Sequence, residues 1–132
     1  MECDLIAPHT LLETTADGAA VDVGASATRT FLCTLVISQQ IEQESLDVSI
    51  WGSSDGQSWG THPILKVPQR FYRGETRAVL DLTMRPEVKF IRAKWEVNKW
   101  GRGAPAPVFH AGLHLAEIPA MPLPATLQSV SR

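Results

Sequence analysis

Apolar and polar residues alternate with a period of two along most of this chain, and no segment sustains a helical period. Phe31, Cys33, Leu35 and Ile37 occupy alternate positions, with Thr30, Leu32, Thr34 and Val36 between them. That is a central strand, apolar on one face and partly so on the other. Leu46, Val48 and Ile50 alternate strictly with Asp47 and Ser49. The longest run sets Ile91, Ala93, Trp95 and Val97 against Arg92, Lys94, Glu96 and Asn98, a half-buried antiparallel strand with a charged outer face. Phe109, Ala111, Leu113 and Leu115 alternate with His110, Gly112, His114 and Ala116.

Shorter runs at 10–14, 20–23, 64–67 and 77–82 bring the expected count to about eight strands. Turn chemistry separates them at Asp17-Gly18, Gly24-Ala25-Ser26, Ser54-Asp55-Gly56, Arg73-Gly74 and Arg85-Pro86. Residues 39–45 read either as one helical turn or as a long hairpin loop. Many short strands in one domain predict an all-β, antiparallel sandwich of jelly-roll-like type. The side chains expected between its sheets are Leu35, Ile37, Val48, Ile50, Ile91, Trp95, Val97, Leu113 and Leu115.

Length changes this picture little. The 132 residues, 44% hydrophobic and 20% charged, suit one globular domain that needs no disulfide framework or metal. The longest mostly apolar stretch, 31–37, is far short of the ~20 residues of a membrane helix. The acidic start at Glu2 and Asp4 lacks the basic region of a signal peptide. The expectation is therefore cytoplasmic synthesis without a signal peptide and no membrane partner. Cys3 is expected at a fraying terminus and Cys33 in a strand; the pair neither requires nor excludes a disulfide.

The carboxyl end differs from the rest. Pro119, Pro122 and Pro124 cannot serve a central strand, because proline lacks the ladder donor. The domain is thus expected over 1–118, with a proline-containing arm over 119–132. Such an arm is either a frayed tail or a segment laid on a neighbouring subunit, with Met121, Leu123, Leu127 and Val130 as apolar anchors.

Charge is divided between the halves. Residues 1–60 hold nine acids and one base, Arg29, a net of −8; residues 61–132 hold eleven bases and five acids, a net of +6; the whole chain is −2. This reads either as opposite fields on two faces, favouring head-to-tail association or a polyanion partner, or as charges mixed by interleaved strands.

One stretch carries a resemblance. Val48-Ser49-Ile50-Trp51-Gly52-Ser53-Ser54-Asp55-Gly56-Gln57-Ser58-Trp59 is a strand that ends in a Ser-x-Asp-Gly-x-x-Trp turn. Asp-Gly permits the tight turn, and the tryptophan can fold back over the sheet end. Lys89-Phe90-Ile91-Arg92-Ala93-Lys94-Trp95 follows as a return strand. Over residues 46–97 this resembles the discoidin-type β-sandwich family. The resemblance implies a jelly-roll-like sandwich and, less directly, a carbohydrate- or ligand-binding module.

Catalytic signatures are missing from the sequence. It has no nucleophile elbow, phosphate loop, paired-cysteine site or His-Glu-x-x-His. His110 and His114 share a strand face, but four residues of strand is ~13 Å at ~3.3 Å per residue, too far to ligate one metal together. Cys33 lies among core-facing residues, as a buried thiol would. No enzyme, metal or cofactor is expected.

Two basic-aromatic groups remain as candidate interface or ligand residues. One comprises Arg92, Lys94, Lys99, Trp100 and Arg102, and the other Arg70, Tyr72 and Arg73; Trp59 joins them from the turn, and Met121, Leu123 and Leu127 from the arm. Bases beside aromatics bind single strands of nucleic acid or form hot spots of protein interfaces; a strand face merely solvated, with Trp100 tucked under its loop, is the plain alternative. The favoured expectation is a structural module that forms a homo-oligomer or coats a larger particle, such as a phage-like shell or tail. The alternative is a discoidin-like module that binds a glycan or another ligand.

Overall fold

The computed structural model describes residues 1–12, 16–40, 44–69, 73–99 and 109–119, without the side chains of 39, 40, 44, 98 and 99. Among them are nine strands: β1 (Glu2–Leu12), β2 (Ala16–Asp17), β3 (Val21–Asp22), β4 (Thr30–Gln40), β5 (Glu44–Ser53), β6 (Leu65–Lys66), β7 (Gly74–Asp81), β8 (Phe90–Lys99) and β9 (Phe109–Glu117). Sheet A has the order β1-β9-β4-β7; sheet B has the order β2-β8-β5-β6, with β3 also on β8. Every pairing is antiparallel. With β2 and β3 taken as one interrupted strand, the chain makes eight strands in the two-sheet order of a jelly roll. The architecture is the all-β sandwich that the alternation predicts.

The alternating apolar residues meet between the sheets. Phe31, Cys33, Leu35 and Ile37 of β4 and Phe109, Ala111, Leu113 and Leu115 of β9 are buried, and so are Leu46, Val48 and Ile50 of β5 and Ile91 and Ala93 of β8. Trp95 and Val97 depart from expectation: they are only partly buried against this core. They stand toward the carboxyl end of β8, where β2 flanks the strand with just two residues, Ala16 opposite Trp95 and Asp17 opposite Lys94.

The amino terminus also differs from the expected fraying end. Cys3 sits in β1 opposite Leu115, and β1 runs along β9 with register shifts between Asp4 and Ile6 and between Ile6 and Thr10. These shifts break the period of two, and Leu5 and Ile6 are both buried as a result. Cys3 and Cys33 flank Leu115 from opposite sides. Two strand spacings, about 9–10 Å, separate them, beyond the ~7 Å that a disulfide spans. Both are free thiols, and burial pushes Cys33 up to about 12.

β4 and β5 lie in different sheets and do not pair with each other as a hairpin. Residues 39 and 40 close β4, 44 and 45 open β5, and 41–43 lie outside the described residues. Each sheet takes strands from both halves of the chain. The acidic and basic halves are therefore interleaved rather than set on opposed faces.

Candidate interaction surfaces

Sheet A carries exposed apolar residues on its outer face as well as an apolar inner face. The residues of β4 that point away from the core are Thr30, Leu32, Thr34 and Val36, and register sets Val79 beside Leu32, Ala116 beside Leu32 and Gly112 beside Val36. Val36 is 40% exposed, Leu11 47% and Val79 54%. Outer faces of antiparallel sheets are usually polar, so this run of side chains is unusual for a solvated surface.

A cavity of about 150 Å³ opens on this face, lined by Asp4, Ile6, Pro8, His9, Thr34 and Val36 over Gly112. Gly112 lines it and admits β1 closely: a Cβ there would come within 2.7 Å of the Pro8 Cα and 3.2 Å of the Ala7 carbonyl oxygen. Only a glycine lets the bulged part of β1 lie this close. His9 takes a left-handed conformation (φ 59°) to complete the bulge. Its Nδ1 lies 3.0 Å from Ser38 Oγ, and that hydroxyl donates to the His110 carbonyl. Ser38 thus accepts from His9, which places the proton on Nδ1.

Carboxylates hold the rim. His114 Nδ1 lies 2.8 Å from Asp4 Oδ1, and its Nε2 lies 2.8 Å from Glu2 Oε2. Only the imidazolium can donate to both; its hydrogen bonds to Asp4 and then to Glu2 raise the His114 pKa above the ordinary histidine value. At the end of β9, Glu117 accepts from the Thr28 amide at 2.9 Å and Ser26 Oγ at 2.8 Å, and pairs with the Met1 ammonium at 3.2 Å. The Thr28 amide and the Ser26 hydroxyl are the leading causes that hold Glu117 down to about 2.

The outer face of sheet B has different chemistry. Register places Trp51 opposite Arg92, Ser49 opposite Lys94 and Asp47 opposite Glu96. Arg92 and Lys94 have partners within the face. The Arg92 guanidinium stands 4.4 Å from the centre of a Trp59 ring and 3.6 Å from Asp17 Oδ2. Lys94 Nζ lies 5.4 Å from the Trp51 ring. The Trp51 indole donates to Ser49 Oγ at 3.0 Å, and Gln69 Nε2 donates to Asp47 at 2.9 Å. Beside Trp51 runs a polar groove of about 300 Å³, lined by Asp47, Ser49, Pro63, Lys66, Lys94 and Glu96.

The turn after β5 delivers Trp59 to this face. Ser53 Oγ accepts from the Asp55 and Gly56 amides and donates to Asp55 Oδ1; Asp55 Oδ1 in turn accepts from the Gln57 and Ser58 amides. Those amides hold the Asp55 pKa below the usual carboxylate value. Gly56 turns with φ +79° against the Phe90 ring. Asp55 is therefore a turn-forming carboxylate.

The structure brings together three of the residues that the sequence nominates, Trp59, Arg92 and Lys94. Arg73 is exposed just ahead of β7, a strand of the other sheet. Lys99 closes β8 without a described side chain, and Arg70, Tyr72, Trp100, Arg102, Met121, Leu123 and Leu127 lie outside the described residues. Sequence reasoning passed over Trp51 and Lys66. Trp51 was legible, because it alternates with the buried Val48 and Ile50 and must face outward. No family model matches the chain, and no curated protein matches it.

Proposed function

We propose that the chain is a non-catalytic structural module that associates with further copies of itself, as an oligomer or as the coat of a larger particle such as a phage-like shell or tail. The observation that carries this reading is the exposure of apolar side chains on the outer face of sheet A, with Leu11, Val36 and Val79 each 40% exposed or more. Contiguous apolar patches on a monomer mark interaction sites. Burying a valine- or leucine-sized side chain contributes ~1.5–3 kcal/mol, so a few of them suffice to hold subunits together. The arm over 119–132 belongs to the same reading. Met121, Leu123 and Leu127 supply anchors of the right chemistry, on a segment whose prolines already restrict it.

Sedimentation velocity across a concentration series tests the reading. The native chain is expected to be larger than a monomer. Val36→Asp combined with Val79→Asp is expected to shift it toward monomer, and deletion of 119–132 to lower the oligomer order while the domain stays folded. A monomer at every concentration overturns the proposal.

A second reading has its own observation. The polar groove beside Trp51, with Lys66, Lys94, Asp47 and Ser49 on its walls, offers an aromatic wall and hydrogen-bonding groups to a glycan, in keeping with the discoidin-type resemblance of residues 46–97. Jelly rolls serve capsids and lectins alike, so fold does not choose between the two. A monomeric chain that binds a glycan array, and loses binding on Trp51→Ala, would reverse the ranking.

A further inference from the structure

A sandwich has four sheet edges, and each is a row of unpaired backbone groups that a protein must blunt or use. Three are blunted here. β1 carries two register shifts and Pro8. β6 has two residues, and β2 and β3 have two each. β7 is the exception. It runs eight residues from Gly74 to Asp81 and pairs with β4 without a register shift. It contains neither proline nor lysine. Among the described residues, no strand pairs with its other side.

We propose that the free edge of β7 pairs with β7 of a second copy, antiparallel about a two-fold axis through Val79. The inference rests on the reading above that the chain self-associates. A two-fold contact presents the same patch twice, so each residue must suit the one that it faces. Glu75, Arg77, Val79 and Asp81 lie on the outer face, since they stand opposite Val36, Thr34, Leu32 and Thr30. An axis through Val79 sets Val79 against its own copy and Arg77 against Asp81, twice. An axis through Ala78 would oppose Glu75 to Asp81, and one through Arg77 would oppose two guanidinium groups; like charges directly opposite destabilise a strand pair. An axis through Thr76 also pairs opposite charges, but it leaves Val79 facing Arg73. With the axis at Val79, the apolar row Ala116, Leu32, Val79 continues across the junction into its copy. The result is one eight-stranded sheet with an unbroken apolar outer strip.

Disulfide trapping in the full-length chain tests the arrangement. Directly opposed Cα atoms of an antiparallel pair are about 4.5–5.5 Å apart, within the ~4.4–6.8 Å range of a disulfide. Val79→Cys is made in a Cys3→Ser background; Cys33 is 1% exposed and is left in place. Glu96→Cys, exposed on the outer face of sheet B, is the control. Under mild oxidation Val79→Cys is expected to form dimers at least about tenfold faster than Glu96→Cys, because pairing raises the local thiol concentration. Arg77→Asp added to Val79→Cys opposes carboxylates on both sides of the axis and is expected to abolish that advantage. Sedimentation of the native chain is run in parallel. Self-association without faster trapping at Val79, or trapping indifferent to Arg77→Asp, overturns the β7 pairing and leaves the broader reading standing. A native chain that stays monomeric overturns both.

Discussion

The two outer faces of the sandwich differ in how they settle their side chains. On sheet B the two outward cations of β8 have aromatic or acidic neighbours: Arg92 has Trp59 and Asp17, and Lys94 has Trp51. Both meet those neighbours within a single chain. On sheet A, Leu32, Val36 and Val79 stand on the outer face among Thr34, Arg77 and Glu75, with His114, Asp4 and Glu2 toward β1. A pairing of charge with ring is an arrangement that an isolated chain can satisfy; an apolar outer strip gains only when something else covers it. The contrast is the reason we propose the interaction surface on sheet A rather than on sheet B.

The largest effect that would break this contrast is steric. Gly112→Val would drive a side chain into the Pro8 backbone, where even a Cβ comes within 2.7 Å. The bulged part of β1 must move, and such overpacking costs about 1–3 kcal/mol. Glu96→Val, also at an outward position of a central strand but on sheet B, is expected to stay within about 0.5 kcal/mol. Chemical denaturation of both variants measures the difference. Gly112→Val as stable as the native chain would show that β1 does not rest on this glycine.

Association provides the next largest difference. Val36→Lys places an ammonium on the outer face of sheet A, and losing one valine of ~1.5 kcal/mol or more that association would bury corresponds to roughly tenfold in the dissociation constant. Ser49→Lys, on the outer face of sheet B, is expected to leave the oligomer unchanged. Equal loss in the two variants, read by light scattering, would move the interface off sheet A.

These contrasts also show what alternation can and cannot convey. The period of two places the core residues of β4, β5 and β9 and the first part of β8 correctly, because one buried face is a local requirement. It also marks β4 as apolar on its second face. It misses most of β1, since Pro8 and two bulges interrupt the pattern there. It overstates Trp95, whose burial depends on the short neighbour β2. The meeting of Trp59 with Arg92 needs a turn and a cross-strand register, neither of which is periodic. The open edge of β7 depends on strand order, and strand order is set by long-range pairings that the sequence does not spell out.

A smaller effect separates the faces by pH. His114 belongs to sheet A and bridges β9 to β1. Its pKa is raised in the folded chain, so its contribution is fully present below the unfolded value of about 6.5 and is lost as pH rises through the folded value. Glu117 acts in the opposite sense. Its folded pKa is about 2 against an ordinary 4.5, so its contribution is present above 4.5 and is lost as pH falls toward 2. Stability at the β1 end of sheet A is therefore expected to fall on both sides of a mildly acidic optimum. Thermal melting from pH 3 to pH 9 measures this, and His114→Gln is expected to flatten the alkaline limb only. An alkaline limb unchanged in that variant would assign it to another group.

The smallest effect lies within sheet B, where it tests whether that face is in fact complete. Arg92 contacts the Trp59 ring and Asp17, and its side chain is 29% exposed. An exposed ion pair contributes ~0–1 kcal/mol, and a cation above a ring contributes ~0.5–1 kcal/mol at such sites. The ion pair depends on charge and is screened by salt, whereas the stack also depends on the planar guanidinium lying over the indole. Arg92→Lys keeps the charge and removes the plane, while Asp17→Asn keeps the plane and removes the pair. A double-mutant cycle between Arg92 and Trp59 is expected to give a coupling of about 0.5–1 kcal/mol that persists in high salt. The cycle between Arg92 and Asp17 is expected to give less, and to vanish in high salt. If instead neither coupling can be measured, Arg92 and Trp59 are not bound up with one another, the face of sheet B is not self-satisfied, and its tryptophans become the better candidates for a bound ligand.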